Sequence, residues 1–315
     1  MTLTNRAPLR ASRIAIWGML LALAAAAPVS ATGLFSHGSA KPPAAPTPTD
    51  ADAAAIASQA TQAINERRYV DAGSLLDGAQ GAGLKSPELT MLRGELYLAR
   101  GRFSEALAVF RSMAADPAHR AQALEGSGVA LSMQGQSEAA MADLKMATGL
   151  DKNLWRAWNA LGREYDLREE WSKSKIAYAT ALAIPGANTA IILNNQGYSL
   201  LLQKQMDGAA ADFVAALEKD PSLAAARTNL RITLAVEGNY ERASVMGVGD
   251  DKASVLNNVG LAAAMRGDYL EADKLLNQAV AAKGQYYGRA AENLQLTHTL
   301  AERADEATVA SDGPH

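Results

Sequence analysis

The sequence contains no cysteine among its 315 residues. Without thiols the chain forms no disulfides, and thiol catalysis and thiolate metal sites are excluded as well. N-terminal lipidation on a cysteine is excluded for the same reason. The chain is therefore neither a disulfide-stabilised protein nor a cysteine-anchored lipoprotein.

Side chains that support catalysis or metal binding are few and scattered. The four histidines are His37, His119, His298 and His315, and no two of them have the spacing of a helical metal site. No glycine-rich phosphate loop follows a strand pattern, and no serine lies in a nucleophile-elbow sequence. We therefore expect a protein that is not an enzyme and that has no cofactor and no metal.

The chain also lacks an excess of basic residues. Its formal net charge is −3, and loss of the N-terminal arginines would make it more negative. A nucleic-acid partner needs a basic surface that neutralises phosphates. We therefore expect no nucleic-acid partner.

The apolar run near the N-terminus is too short to cross a membrane as a helix. It covers residues 14–27, whereas a membrane-spanning helix needs about 20 residues. Arginines precede this run, and Val29-Ser30-Ala31 has the small residues that a signal peptidase accepts. We predict a signal peptide over residues 1–31 and export to the periplasm of a Gram-negative-type envelope. The alternative is an inner-membrane anchor formed by an uncleaved N-terminal segment.

The segment that follows has the composition of a linker. Residues 32–52 are rich in alanine, threonine and serine and contain four prolines within seven positions, from Pro42 to Pro48. Such sequences form extended, unpacked chain. We predict a tether that separates the folded part from the N-terminus.

The most informative pattern in the chain is a marker residue that returns about every 34 positions and is nearly always small. The markers are Ala60, Gly94, Gly128, Gly162, Gly197, Arg231 and Gly260, with steps of 34, 34, 34, 35, 34 and 29 residues. An alanine follows most markers at twelve positions, for example Ala72 and Ala209. Spacings of three, four and seven place the recurring residues on one face of a helix. A unit of two short amphipathic helices buries its apolar faces only by stacking against neighbouring units.

This frame, clearest in residues 158–165 (WNALGREY), resembles the tetratricopeptide repeat. The seven units begin near Ala53, Pro87, Ala121, Trp155, Ala190, Ala224 and Ala253. The resemblance implies an all-α, right-handed solenoid of about seven helix pairs over residues 53–306. A last helix, Tyr286 to Glu306, would cap the open end, and residues 307–315 would form a tail.

The sixth unit departs from the frame. Its step of 29 residues removes five positions, and the stretch from Ser244 to Asp251 is too short and too rich in glycine for a full helix. We predict a shortened second helix in this unit. The alternative is a kink or mobile joint.

The resemblance also indicates where a partner would bind. In tetratricopeptide proteins the first helix of each pair lines a concave groove, and asparagines there bond to the backbone of an extended peptide. On the matching positions this chain has asparagines in units four to seven, an apolar strip beside them, and two arginines, Arg156 and Arg163, that are candidate carboxylate anchors. The predicted partner-binding residues are Asn159, Arg163, Asn194, Asn195, Tyr198, Asn229, Ile232, Asn257, Asn258 and Leu261. The alternative is that these asparagines bond to the neighbouring helix pair and fix the stacking of the units.

A narrower resemblance concerns residues 193–200 (LNNQGYSL) and 256–262 (LNNVGLA), with Asn229 between them. These phrases look like the TadD family of repeat proteins of tight-adherence (Flp) pilus assembly. The resemblance implies an accessory factor that binds a secretin or other pilus-machine subunits, although family members are commonly lipoproteins and this chain has no cysteine. Two functions stay open: a non-enzymatic scaffold for a pilus or secretion machine, and a general periplasmic chaperone or adaptor. The second would deliver clients to an envelope protease or an outer-membrane insertion complex.

Overall fold

A computed structural model describes residues 49–245, 251–283 and 287–311. The predicted signal peptide and most of the predicted tether lie outside the described residues, as does the end of the tail. Residues 50–52, which the sequence places in the tether, form the first turn of a helix instead. Thr49 and Asp52 explain this difference, because each accepts a hydrogen bond from the backbone N–H of the other in a capping box.

The described chain is helical throughout, without a strand, and its fifteen helices follow one another as packed pairs with a single helix at the end. The helices are α1 (Asp50–Asn65), α2 (Tyr69–Gly81), α3 (Pro87–Ala99), α4 (Phe103–Met113), α5 (Arg120–Met133), α6 (Ser137–Leu150), α7 (Trp155–Leu167), α8 (Trp171–Ala183), α9 (Thr189–Leu202), α10 (Met206–Lys219), α11 (Ala224–Val236), α12 (Tyr240–Ala243), α13 (Lys252–Arg266), α14 (Tyr269–Lys283) and α15 (Gly288–Ser311). Units one to seven pair α1 with α2 through α13 with α14. The all-α tetratricopeptide solenoid predicted from the sequence is confirmed.

The recurring glycines make room for a large side chain of the second helix. A Cβ added to Gly94 would lie 2.7 Å from the ring of Phe110, and one added to Gly126 of the next unit would lie 2.5 Å from the same ring. Phe110 is fully buried between the two glycines. Gly162 leaves the same room for Tyr178, at 2.5 Å. The small marker residue is therefore required by close packing within a unit, and Gly126, two positions before the marker Gly128, is required by packing against Phe110 between units.

The sixth unit has the shortened second helix that the sequence predicts. Helix α12 has only four residues, whereas α10 has 14 and α14 has 15. The marker of this unit is Arg231, whose Nη2 donates a hydrogen bond to the carbonyl oxygen of Val245 at 2.9 Å. Helix α12 ends at Ala243, before the residue that Arg231 contacts. Residues 246–250 of the predicted joint lie outside the described residues.

The last helix closes the array as the sequence predicts. Helix α15 packs against α13 and α14, in the place that the first helix of an eighth unit would take. It begins at Gly288 and continues to Ser311, beyond the predicted end at Glu306. Its exposed residues include Gln295, His298 and Glu302. This face is mostly polar, as a terminal unit needs in water, although Leu296 is exposed as well.

Candidate partner-binding groove

The asparagines of units four to six bond to one another from unit to unit. Asn229 on α11 donates to Oδ1 of Asn194 on α9 at 3.0 Å, and Asn194 donates to its neighbour Asn195 at 3.2 Å. Asn195 in turn donates to Oδ1 of Asn159 on α7 at 3.0 Å. We call this chain of amides the first asparagine ladder. It links three successive first helices.

A second asparagine ladder begins after the shortened unit. Asn293 on α15 donates to Oδ1 of Asn257 on α13 at 2.8 Å, and Asn257 donates to Asn258 at 3.2 Å. Within the described residues no hydrogen bond joins Asn229 to Asn257 or Asn258. The two ladders are therefore separated at the sixth unit.

Burial leaves most of these amides little surface for a partner. The exposed fraction is 9% for Asn159 and Asn194, 4% for Asn229 and 5% for Asn257. Asn195, Asn258 and Asn293 are partly exposed. The contacts match the alternative in which asparagines fix the stacking of the units, whereas binding of a peptide backbone by this set stays a prediction.

The apolar strip beside the asparagines is also largely covered. Ile232 is 6% exposed, and Tyr198 and Leu261 are partly buried. Burial raises the pKa of the Tyr198 hydroxyl above its ordinary value, and the negative charge of Asp166 adds to this shift. Within units five to seven, Asn195, Tyr198, Asn258 and Leu261 therefore keep some exposure.

The two arginines of unit four have different surroundings. Arg156 forms an ion pair with Glu95 of unit two at 2.7 Å, so its guanidinium already holds a carboxylate. Arg163 is exposed, and its two terminal nitrogens lie 3.8 Å from the sulfur of Met133. Within the described residues no carboxylate forms an ion pair with Arg163. Of the two anchors suggested by the sequence, only Arg163 is open to a new carboxylate.

The concave face of units one to four contains a cavity that the sequence did not single out. Its volume is about 480 Å³. The lining residues are Ile64, Glu95, Leu98, Ala99, Gly101, Phe103, Val129, Met133 and Arg156. Four first helices therefore contribute to one largely apolar hollow, and the ion pair between Glu95 and Arg156 forms part of its wall. Met133 belongs to both the cavity and the Arg163 contact, so the guanidinium lies next to the hollow.

The repeat frame of the sequence does contain an indication of this cavity. Leu98, Val129 and Met133 occupy first-helix positions that line the groove in tetratricopeptide proteins, in the same frame that picks out the asparagines. The asparagines are the more conspicuous pattern because one residue type recurs. The apolar positions vary in identity from unit to unit.

Beneath the cavity wall, Glu125 of α5 is buried with 7% exposure. Its Oε1 accepts a hydrogen bond from the N–H of Ala157 at 2.9 Å, in the first turn of α7. Leu154, the residue before α7, provides no side-chain cap. Burial raises the pKa of Glu125 above its ordinary value, against the opposing effect of Arg156. A carboxylate of unit three thus caps the first helix of unit four.

The described residues contain no group of acidic, histidine or cysteine side chains that would hold a metal ion. None of their helices combines the length and apolar character that a bilayer crossing requires.

Solved structures share this fold at low sequence identity. A chain of the APC/C hetero-tetramer Cut9–Hcn1 is 16% identical with a TM-score of 0.60, and the match covers 77% of this chain and 48% of that chain. This chain therefore spans about half of the length of that protein. A tetratricopeptide repeat protein from Parabacteroides merdae is 15% identical with a TM-score of 0.51, covering 78% of this chain and 98% of the other.

PilW, a widely conserved type IV pilus biogenesis factor, is 19% identical with a TM-score of 0.52, and the match covers 67% of this chain and 97% of PilW. At such identities these likenesses establish the tetratricopeptide fold. No protein-family model matches the sequence, and no curated protein matches it.

Proposed function

We propose that this chain is a non-enzymatic, exported scaffold that binds segments of partner proteins on its concave face. The observation that carries the proposal is the cavity of about 480 Å³ between the first helices of units one to four. Apolar pockets with a few polar groups are the usual sites of ligand binding. Here Leu98, Val129 and Met133 supply apolar wall, and Arg163 supplies an open cation beside it.

The chemistry of this face favours a segment with an apolar side chain next to a carboxylate. The apolar side chain would enter the cavity, and the carboxylate would pair with Arg163, whose planar guanidinium suits bidentate recognition. Units five to seven would extend the contact through Asn195, Tyr198, Asn258 and Leu261, the groove residues that keep some exposure.

We further propose that the scaffold serves in the assembly of a tight-adherence (Flp) pilus or a related secretion machine. The phrases around Asn195 and Asn258 resemble those of the TadD family, and the pilus biogenesis factor PilW has the same fold. A secretin or another subunit of the machine would be the partner. A pilin, a secretin and a secretion ATPase among the neighbouring genes would support this role, and genes for an envelope protease or insertion complex would favour the chaperone alternative.

The groove is tested with a variant that fills the cavity. Ala99 is exposed and lines the cavity, so Ala99→Trp occupies the hollow without disturbing the core. Ala142→Trp, on the exposed face of α6, is the matched control. Calorimetric titration with the soluble domains of the secretin and with pilin should show binding to the wild type and to Ala142→Trp, and loss of binding in Ala99→Trp. Equal affinity of all three proteins would contradict the cavity as the site.

Export is tested separately. A reporter that is active only in the periplasm should be active when fused to residues 1–31 and inactive when fused to the chain without them. Mass spectrometry of the exported protein should find an N-terminus at or near Thr32. An intact Met1 in the membrane fraction would instead support the inner-membrane anchor.

A further inference from the structure

The ion pair between Glu95 and Arg156 is unlike the others in the described chain because it skips a unit. Units of a solenoid contact their immediate neighbours. The remaining ion pairs formed by the described residues stay within a unit or join adjacent units, as Arg168 and Glu138 do at 2.8 Å. Glu95 lies in unit two and Arg156 in unit four, yet their side chains meet at 2.7 Å. The pair thus bridges the concave face across unit three.

The surroundings of the pair favour a fixed position for Arg156. The side chains of Arg156 and Glu95 are only 33% and 25% exposed. Arg156 also lies in the field of buried Glu125, which is hydrogen-bonded to the N–H of Ala157 next to it in sequence. Two carboxylates from two different units therefore attract one guanidinium. Salt screens a partly buried ion pair less than an exposed one. The attraction between Glu95 and Arg156 is therefore less sensitive to salt than that of an exposed pair.

A second long-range effect joins units one and five. Hydrogen bonding to Ser222 is the main cause that lowers the pKa of Asp220, and Arg67 adds to that shift. Arg67 follows the first helix of unit one, and Asp220 follows the second helix of unit five. The charge of Arg67 thus acts on a carboxylate four units away along the array.

We propose that Glu95 and Arg156 are a positioning pair that holds units two and four at a fixed separation and thereby sets the width of the cavity. The cavity is lined by both residues, so any change in their separation changes its wall. A preorganised cavity binds a partner with less ordering cost than one that must form on binding. The relevance of the pair to binding rests on the proposed function, but its effect on the array is measured without a partner.

The test uses spin labels, which the absence of native cysteine makes straightforward. Ala108→Cys on α4 and Ala179→Cys on α8 place labels at exposed positions of units two and four. Pulsed electron resonance on the full chain then gives the distance distribution between them. We expect Glu95→Gln to shift or broaden this distribution relative to the wild type. Glu138→Gln, which removes the ion pair to Arg168 between adjacent units, is the matched control and should leave the distribution unchanged.

Two further measurements separate positioning from loss of fold. A second label pair, Ala211→Cys and Gln278→Cys in units five and seven, should give the same distribution with and without Glu95→Gln. In an Arg156→Gln background, Glu95→Gln should have no further effect on the first label pair, because the interaction is already absent. An unchanged distribution in Glu95→Gln overturns the proposal, and so does a change that persists in full without Arg156. If Ala99→Trp binds partners normally while Glu95→Gln alters the distance, the proposed site fails and the positioning pair stands.

Discussion

Asn293 donates a hydrogen bond to Oδ1 of Asn257 in the same way that Asn195 donates to Asn159, and 36 residues separate the two partners in each case. The last helix therefore joins the array through the contact that the first helices of units four and five use. A recurring buried amide pair explains the asparagine phrases without a ligand. It also makes them important for stability.

The first prediction concerns Asn194, which connects two members of the first ladder. Asn194→Ala removes the acceptor of Asn229 and a donor to Asn195. A buried amide left without its partner costs about 1–3 kcal/mol. We expect the free energy of unfolding, measured by urea denaturation, to fall by about this amount.

Asn277→Ala is the matched control because Asn277 is exposed and, among the described residues, bonds only to Asp273 of its own helix. Its effect should stay within about 0.5 kcal/mol. If Asn194→Ala instead leaves the stability unchanged and weakens partner binding, the asparagines bind a partner and the prediction of a structural role is wrong.

The second prediction compares two glycines in helices. Gly126→Ala would place a methyl group 2.5 Å from the ring of Phe110, so the ring or the two helices must shift. Overpacking of this kind costs about 1–3 kcal/mol. At Gly149 an added Cβ meets nothing within 4 Å, so Gly149→Ala should stabilise α6 by up to about 1 kcal/mol. We expect the melting temperature to fall in Gly126→Ala and to rise in Gly149→Ala. Destabilisation of equal size in both variants would contradict the packing role of Gly126 against Phe110.

The repeat frame predicts the helix pairs, the shortened second helix and the cap because each depends on local periodicity. The predicted tether ends three residues too late, at residue 52, because the capping box at Thr49 is a short signal beside an alanine-rich helix. Glu125 and Arg156 were harder to interpret. Their partners, Ala157 and Glu95, lie 32 and 61 positions away. The contact between Glu95 and Arg156 also depends on how the successive units are arranged in space. The sequence alone does not distinguish a binding role of the asparagines from a stacking role, because both use the same amide hydrogen bonds.

The third prediction concerns pH. A hydrogen bond to Asp116, 2.7 Å from Nδ1, raises the pKa of His119 above its ordinary value despite burial, and Glu88 adds to the effect. Since the folded-state pKa lies above the unfolded one, the stabilisation is fully present below the unfolded pKa of about 6.5. It is lost as the pH rises through the folded-state pKa.

Asp116→Asn should lower the pKa of His119, measured by following its ring protons in an NMR titration. The loss of stability on going from about pH 6 to about pH 8 should then be smaller in the variant than in the wild type. Parallel curves of stability against pH for the two proteins would show that the pair of His119 and Asp116 does not contribute to the pH dependence.

The last prediction concerns the sixth unit, whose second helix is the shortest in the described chain. Helix α12 provides four residues where α10 provides 14, and the two asparagine ladders are separated here. The hydroxyl group of Tyr240 still anchors the helix, because it donates a hydrogen bond to the carboxylate of Asp268 in the next unit. Local opening requires the least free energy where few apolar contacts and hydrogen bonds are lost. Amide hydrogen exchange followed by mass spectrometry should therefore find Tyr240–Ala243 less protected than Met206–Lys219 under native conditions.

Tyr240→Phe removes the anchor and keeps the ring, so it should reduce protection in α12 and leave α10 unchanged. Equal protection of the two helices in the wild type would mean that the sixth unit opens only with the whole array.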